Sequence, residues 1–159
     1  MRHPHPLSAS VRVKKLVDDA SLPKQQTEGS SGFDLYACVT GPHGKIGLAP
    51  GERTLVGTGI AMAIDRGYEG QVRPRSGLAA KYGITIPNSP GTIDSDYRGE
   101  VKVILLNTGN TTFIIEHGER IAQLVIQAVP RVELLELEAD EDLPPTSRGE
   151  GGFGSTGSS

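Results

Sequence analysis

Glycine or proline interrupts this chain at short intervals, and that punctuation most limits how it can fold. There are 21 glycines and 11 prolines among 159 residues, a high share that still falls below the level marking a disordered chain. Between the interruptions, apolar residues come in short runs. Residues 11–17 begin by alternating, Val11 and Val13 against Arg12 and Lys14, as an edge strand would. Residues 18–31 are polar and loop-like. Residues 33–39 read as a short strand into which Asp34 intrudes. Further strands are predicted over 46–48, 53–64 and 70–74, and over 121–129 and 132–137 on either side of Pro130, while 84–87 leads into a hairpin. Gly57 and Gly59 suggest a bulge inside the longest of these. Only residues 76–82 read as a helix, with Ser76 as N-cap, Leu78, Ala79, Ala80 and Lys81 as helix formers and Gly83 as the stop. No internal repeat is visible. Many short, closely spaced strands predict an all-β fold, a jelly-roll-like barrel or sandwich with one short helix, over residues 1–143. Residues 144–159, opening on Pro144-Pro145 and rich in glycine, are expected to be a flexible C-terminal arm.

Composition narrows the setting. A net charge of −3 gives no reason to expect nonspecific binding to nucleic acid or to an anionic membrane. A single cysteine, Cys38, excludes an intrachain disulfide and reads as a small buried hydrophobe. The four histidines show no metal-ligand spacing. Residues 1–10 lack the apolar core of a signal peptide, and no run approaches membrane length, so a cytoplasmic setting is expected.

Chemistry concentrates in residues 88–100, NSPGTIDSDYRGE. This segment reads as a hairpin running into a strongly apolar strand, with one carboxylate (Asp94) and one ring (Tyr97) at its tip. Such a tip can face a ligand that is part charged and part flat, or Asp94 can simply cap its own turn. At residues 74–83, PRSGLAAKYG, a helix start with Arg75 ahead of it and Gly77 within it suits an anion, or is an ordinary capped helix. Gln123 is an amide inside an apolar run, where it needs a backbone or ligand partner. Lys102 lies beside Glu100 on one face of its strand, as part of a cross-strand ion pair or as a ligand contact. In the tail, Arg148, Phe153, Ser155 and Thr156 are residues that a linker would not need, and they could form a lid for a phosphorylated aromatic ligand.

Five segments, SGFDLYA (31–37), PRSG (74–77), GTIDSDYRGE (91–100), GERIAQL (118–124) and RGEGGFGSTG (148–157), resemble the five ordered motifs of the trimeric dUTPases. They span nearly the whole chain in the family's order. The resemblance implies a homotrimer with shared active sites that hydrolyses dUTP to dUMP and pyrophosphate with Mg²⁺. Such an enzyme limits uracil incorporation into DNA and supplies dUMP for dTMP synthesis. It further implies that Asp94 is the base for the attacking water and that Asp34 holds the metal indirectly, through water. Arg75, Ser76, Gly77 and Gln123 would hold phosphates, with Lys102 reaching the one nearest the sugar. Asn88, Thr92 and Ile93 would read the uracil edge and Tyr97 would underlie the deoxyribose. Arg148, Gly154, Ser155 and Thr156 would close over the phosphates while Phe153 stacks on the base. Ser31 stands where alanine is common in the family. The dCTP deaminases share the fold, but their catalytic glutamate falls where this chain has Ile104, and they lack this tail. A non-catalytic binding protein on the same scaffold is the other alternative; Asp94 and the complete tail argue against it.

Overall fold

The computed structural model describes residues 9–41 and 43–151. Its elements are β1 (Val11–Lys15), β2 (Phe33–Tyr36), β3 (Lys45–Leu48), β4 (Arg53–Ile64), β5 (Tyr68–Arg73), α1 (Ser76–Tyr82), β6 (Ile84–Thr85), β7 (Gly91–Ile93), β8 (Glu100–Asn107), β9 (Phe113–Glu116) and β10 (Arg120–Ala128). One four-stranded sheet runs β1-β4-β8-β6, a second runs β2-β10-β5-β7, and β3 pairs with β9 in a ribbon. The pairings are antiparallel throughout. The fold is all-β with one short helix, as the punctuation predicts, and β1 is an edge strand.

Alternation along the strands builds the core. In β8, Val101, Val103 and Leu105 are buried while Lys102 faces solvent. Val56, Ile60, Met62 and Ile64 of β4 join them, with Leu35, Val72, Ile93, Ile121 and Leu124 from the second sheet and Leu48, Phe113 and Ile115 from the ribbon. Each large aliphatic side chain removed from water contributes about 1.5–3 kcal/mol, which is why the two sheets share one interior.

Several boundaries differ from expectation. β1 and β2 end two and three residues early, and β5 begins two residues sooner. The ribbon strand β9 and the two-residue β6 have no counterpart in the predicted strands. Residues 132–137, apolar and predicted as a strand, form none: Val132, Leu134 and Leu135 are 70%, 92% and 79% exposed, and no strand among the described residues pairs with them. Ser76 is not the N-cap of α1. Arg75 holds that position, extended at φ −89° and ψ 125° and without a side-chain cap bond, while Gly83 closes the helix at φ 70° as expected. No helix among the described residues is long and apolar enough to cross a membrane.

The segment read as a hairpin is the main correction. β7 pairs with β5 in the second sheet, whereas β8 pairs with β4 and β6 in the first. Residues 94–99 therefore carry the chain from one sheet to the other. The turn chemistry is as read, but the two strands flanking it do not pair with each other.

Candidate active site

The crossover is anchored where β4 is irregular. The β4–β8 register is regular from Arg53 to Gly57 and shifts before Ala61, so three β4 residues stand against Val101. Gly59 takes φ +67°, a conformation that favours glycine. The backbone groups freed by the bulge are met. The amides of Cys38 and Leu16 donate to the carbonyls of Gly57 and Gly59, both at 2.8 Å. The Thr58 hydroxyl donates to the Val101 carbonyl at 2.6 Å, and the Gly59 amide donates to Glu100 Oε1 at 2.9 Å.

From this base the crossover rises with a fixed shape. The Tyr97 amide donates to the Asp94 carbonyl at 3.1 Å, closing the turn through backbone. The Tyr97 hydroxyl donates to the Glu100 carbonyl at 3.1 Å, laying the ring over Gly99; a Cβ there would fall 2.6 Å from ring atom Cζ. The ring remains 46% exposed. Asp94 is exposed, and its carboxylate accepts no hydrogen bond among the described residues, so it does not cap its own turn. A cleft of about 310 Å³ results, lined by Leu55, Thr92, Ile93, Asp94, Tyr97, Glu100, Val101 and Lys102. Lys102 Nζ lies 3.4 Å from Glu100 Oε2, an ion pair along β8 rather than across strands. Asp94 also borders a wider cleft of about 910 Å³, whose lining includes Glu69, Asp96, Arg66 and Arg131.

A second cluster forms on β2, β10 and the start of α1. Asp34 is only 4% exposed and sits between two guanidinium groups: Arg75 Nε is 3.4 Å from its Oδ1, and Arg120 Nη1 donates to its Oδ2 at 3.3 Å. Arg75 Nη1 also donates to the Arg120 carbonyl at 3.0 Å. Nη1 is thus held by backbone, Nε faces the Asp34 carboxylate at ion-pair distance without a hydrogen bond, and Nη2 makes no hydrogen bond among the described residues. Gln123 pairs in register with Asp34 on one side and Arg73 on the other. It is exposed rather than the buried amide expected, because β10 turns Ala122 and Leu124 inward and Gln123 outward. Ser76 and Gly77 are exposed beside Arg75.

Of the expected site residues, the cleft gathers Thr92, Ile93, Asp94, Tyr97 and Lys102, and the second cluster gathers Asp34, Arg75, Ser76, Gly77 and Gln123. None of the second set lines the cleft. Asn88 is exposed outside it; its Nδ2 would lie 3.3 Å from a Cβ built on Gly91. Arg148 is exposed and turns back on its own segment, Nε donating to the Gly151 carbonyl at 2.7 Å. Phe153, Gly154, Ser155 and Thr156 lie outside the described residues. Sequence reasoning assigned no role to Arg120, although it falls inside the fourth motif. It also missed what Glu100 holds, because bonds made to one strand by a bulge in another leave no local pattern.

Cys38, half-buried beside the bulge, has its thiol pKa raised by desolvation first and by the charges of Glu100 and Asp19 next. Among the described residues no group of three His, Cys, Asp or Glu side chains is placed to cage a metal.

Comparison with known proteins agrees with this geometry. The family model described as dUTPase matches residues 18–157. The deoxyuridine 5'-triphosphate nucleotidohydrolase of Syntrophotalea carbinolica is 53% identical over 148 residues, covering 93% of this chain and 97% of that protein. The protein of the same name from a Hydrogenobaculum species is 56% identical over 145 residues, covering 91% and 96%. Among solved structures, the dUTPase of Staphylococcus bacteriophage 80alpha with dUPNHPP superposes with a TM-score of 0.82 at 28% identity, covering 94% of this chain and 99% of that one.

Proposed function

Because this chain belongs to the dUTPase family, we propose that it hydrolyses dUTP to dUMP and pyrophosphate. The observation that carries the reading is Asp94, an exposed carboxylate without a partner among the described residues, in the lining of a cleft that also presents Tyr97 and Lys102. Asp94 takes a proton from water as the water oxygen bonds to the α-phosphorus. The bond from that phosphorus to the α–β bridging oxygen breaks, and the electron pair leaves with pyrophosphate. Positioned proton transfer of this kind contributes about 10²–10⁴-fold, so contacts to the phosphates supply much of the rest.

Thr92, Ile93 and Asn88 read the uracil edge, and Tyr97 lies beneath the deoxyribose, leaving no room for a 2′-hydroxyl. Lys102 reaches the phosphate nearest the sugar. Arg75 offers Nη2 to the outer phosphates, with Ser76, Gly77 and Gln123 beside it. Residues 144–159 act as an arm that closes on the bound nucleotide through Arg148, Phe153, Gly154, Ser155 and Thr156, and residues 1–143 form the domain it closes on.

The donor set suits Mg²⁺ held mainly by the substrate. With no cage of three such side chains among the described residues and both Asp34 oxygens facing guanidinium groups, Asp34 would hold the ion through water, while the triphosphate would provide the direct oxygens. When bound, Mg²⁺ neutralises charge on the triphosphate.

The chain works as a homotrimer whose sites combine the cleft of one copy with the Arg75 cluster of another. That no residue of the Arg75 cluster lines the cleft supports this reading, as do the exposed Leu134 and Leu135. Purified protein given dUTP and Mg²⁺ should release one pyrophosphate and one dUMP per turnover, with UTP a far poorer substrate and no ammonia from dCTP. Ammonia release would favour deamination, and inertness toward dUTP would leave a binding protein.

A further inference from the structure

We propose that Glu100 is a positioning residue for this reaction, which sets Lys102 over the cleft before substrate arrives; the proposal rests on the dUTP-hydrolysis reading above. Three observations meet at this residue. Oε1 accepts from the Gly59 amide at 2.9 Å, tying the carboxylate to the β4 bulge. Oε2 lies 3.4 Å from Lys102 Nζ. The Glu100 carbonyl accepts from the Tyr97 hydroxyl at 3.1 Å. One residue therefore links the bulge, the cationic side chain and the ring that line one face of the cleft.

β4 is shaped to admit this carboxylate. A Cβ on Gly57 would lie 2.5 Å from Glu100 Oε1, so only glycine leaves the seat open. The ion pair itself is weak, since the Lys102 side chain is 46% exposed and water screens it. Its effect is geometric: a lysine carries large rotamer entropy, and tethering it beforehand removes an ordering cost from binding. The carboxylate does not cancel this by repelling phosphate, because the Gly59 amide and the Lys102 ammonium already face its two oxygens.

Glu100→Gln isolates the charge. The amide oxygen still accepts from Gly59, the side chain keeps its size, and only the tether to Lys102 is lost. The expected result is a KM for dUTP raised about fivefold with kcat within about twofold and an unchanged melting temperature. In a Lys102→Ala background the same substitution should add nothing, because its partner is already gone. Gly57→Ala, which displaces the carboxylate while keeping its charge, should raise KM in the same way. An unchanged KM in Glu100→Gln overturns the proposal, as does an equal rise with and without Lys102. Wild-type protein that fails to hydrolyse dUTP refutes the underlying reading and this proposal with it.

Discussion

Asp94 and Asp96 are the exposed acids of the crossover whose carboxylates accept no hydrogen bond and form no ion pair among the described residues, and of the two only Asp94 lines the cleft with Tyr97 and Lys102. Asp34 is held by two arginines, and Glu100 by an amide and a lysine. A carboxylate kept out of internal pairs is available to a water molecule. Asp94→Asn is nearly isosteric yet cannot take up that proton. It should keep the binding of a nonhydrolysable dUTP analogue, measured by calorimetry, and lose at least about 100-fold in kcat. Near-normal turnover would remove Asp94 from the role of base. Cys38 offers a second test at this scale. Desolvation, then Glu100 and Asp19, raise its pKa, so less thiolate is present at neutral pH than in a free cysteine. Alkylation by iodoacetamide at pH 7 should be slower than for a free thiol, and Glu100→Gln should speed it by removing one of the charges. Equal rates in the two proteins would mean that the Glu100 charge does not reach the sulfur.

At the scale of elements, what could be read from the sequence depended on whether an element's reasons are local. β4 and α1 fall on the predicted residues because alternation, helix formers and the Gly83 stop are local signals. The bulge at Gly57 and Gly59 was visible for the same reason. Strand partnership is not local. The turn residues from 88 to 99 mark a reversal, but nothing in them says that β7 will pair with β5 while β8 pairs with β4. Residues 132–137 are apolar enough to read as a strand but pair with no strand among the described residues. The candidate site shows the same division: Asp94, Tyr97 and Lys102 share one contiguous stretch, whereas the contacts of Arg120 and Glu100 depend on register with β2 and β4. The end of β8 shows how such ties act. Asn107 is fully buried, its Nδ2 donating at 2.8 Å to the carbonyls of Leu48 and Thr111 and its Oδ1 accepting from the Gly109 amide at 2.8 Å. Asn107→Ala strands three backbone groups and should lower stability by at least about 2 kcal/mol in urea denaturation. It hydrogen-bonds to no cleft-lining residue, so turnover per folded molecule should stay near wild type. A loss below about 0.5 kcal/mol would mean that water replaces the amide there.

At the scale of the whole molecule, two half-sites on one 16.8 kDa chain and an apolar segment that pairs with no strand among the described residues ask the same question. Leu134 and Leu135, 92% and 79% exposed, would be unfavourable on an isolated chain, and Arg75 does not line the cleft that holds Asp94. The proposed homotrimer would answer both, because a heterologous interface repeated around a threefold axis can set the cleft of each copy against the arginine cluster of the next. The sharpest consequence lies in mixing rather than in loss. Asp94→Asn and Arg75→Ala proteins should each be nearly inactive, since every site in either homotrimer lacks one component. Unfolded together and refolded at equal amounts, they should form mixed trimers in about three cases of four. Going once around any mixed ring, only one junction joins an intact Asp94 to an intact Arg75. Activity should therefore return to about a quarter of the wild-type level, with unchanged KM at the restored sites. If each chain built its own complete site, no mixture could recover activity, because every chain would still carry its own defect. Leu134→Ser combined with Leu135→Ser should weaken the assembly and lower this recovery, while circular dichroism continues to report the β core. Refolded mixtures that stay as inactive as their parents would assign the whole site to one chain.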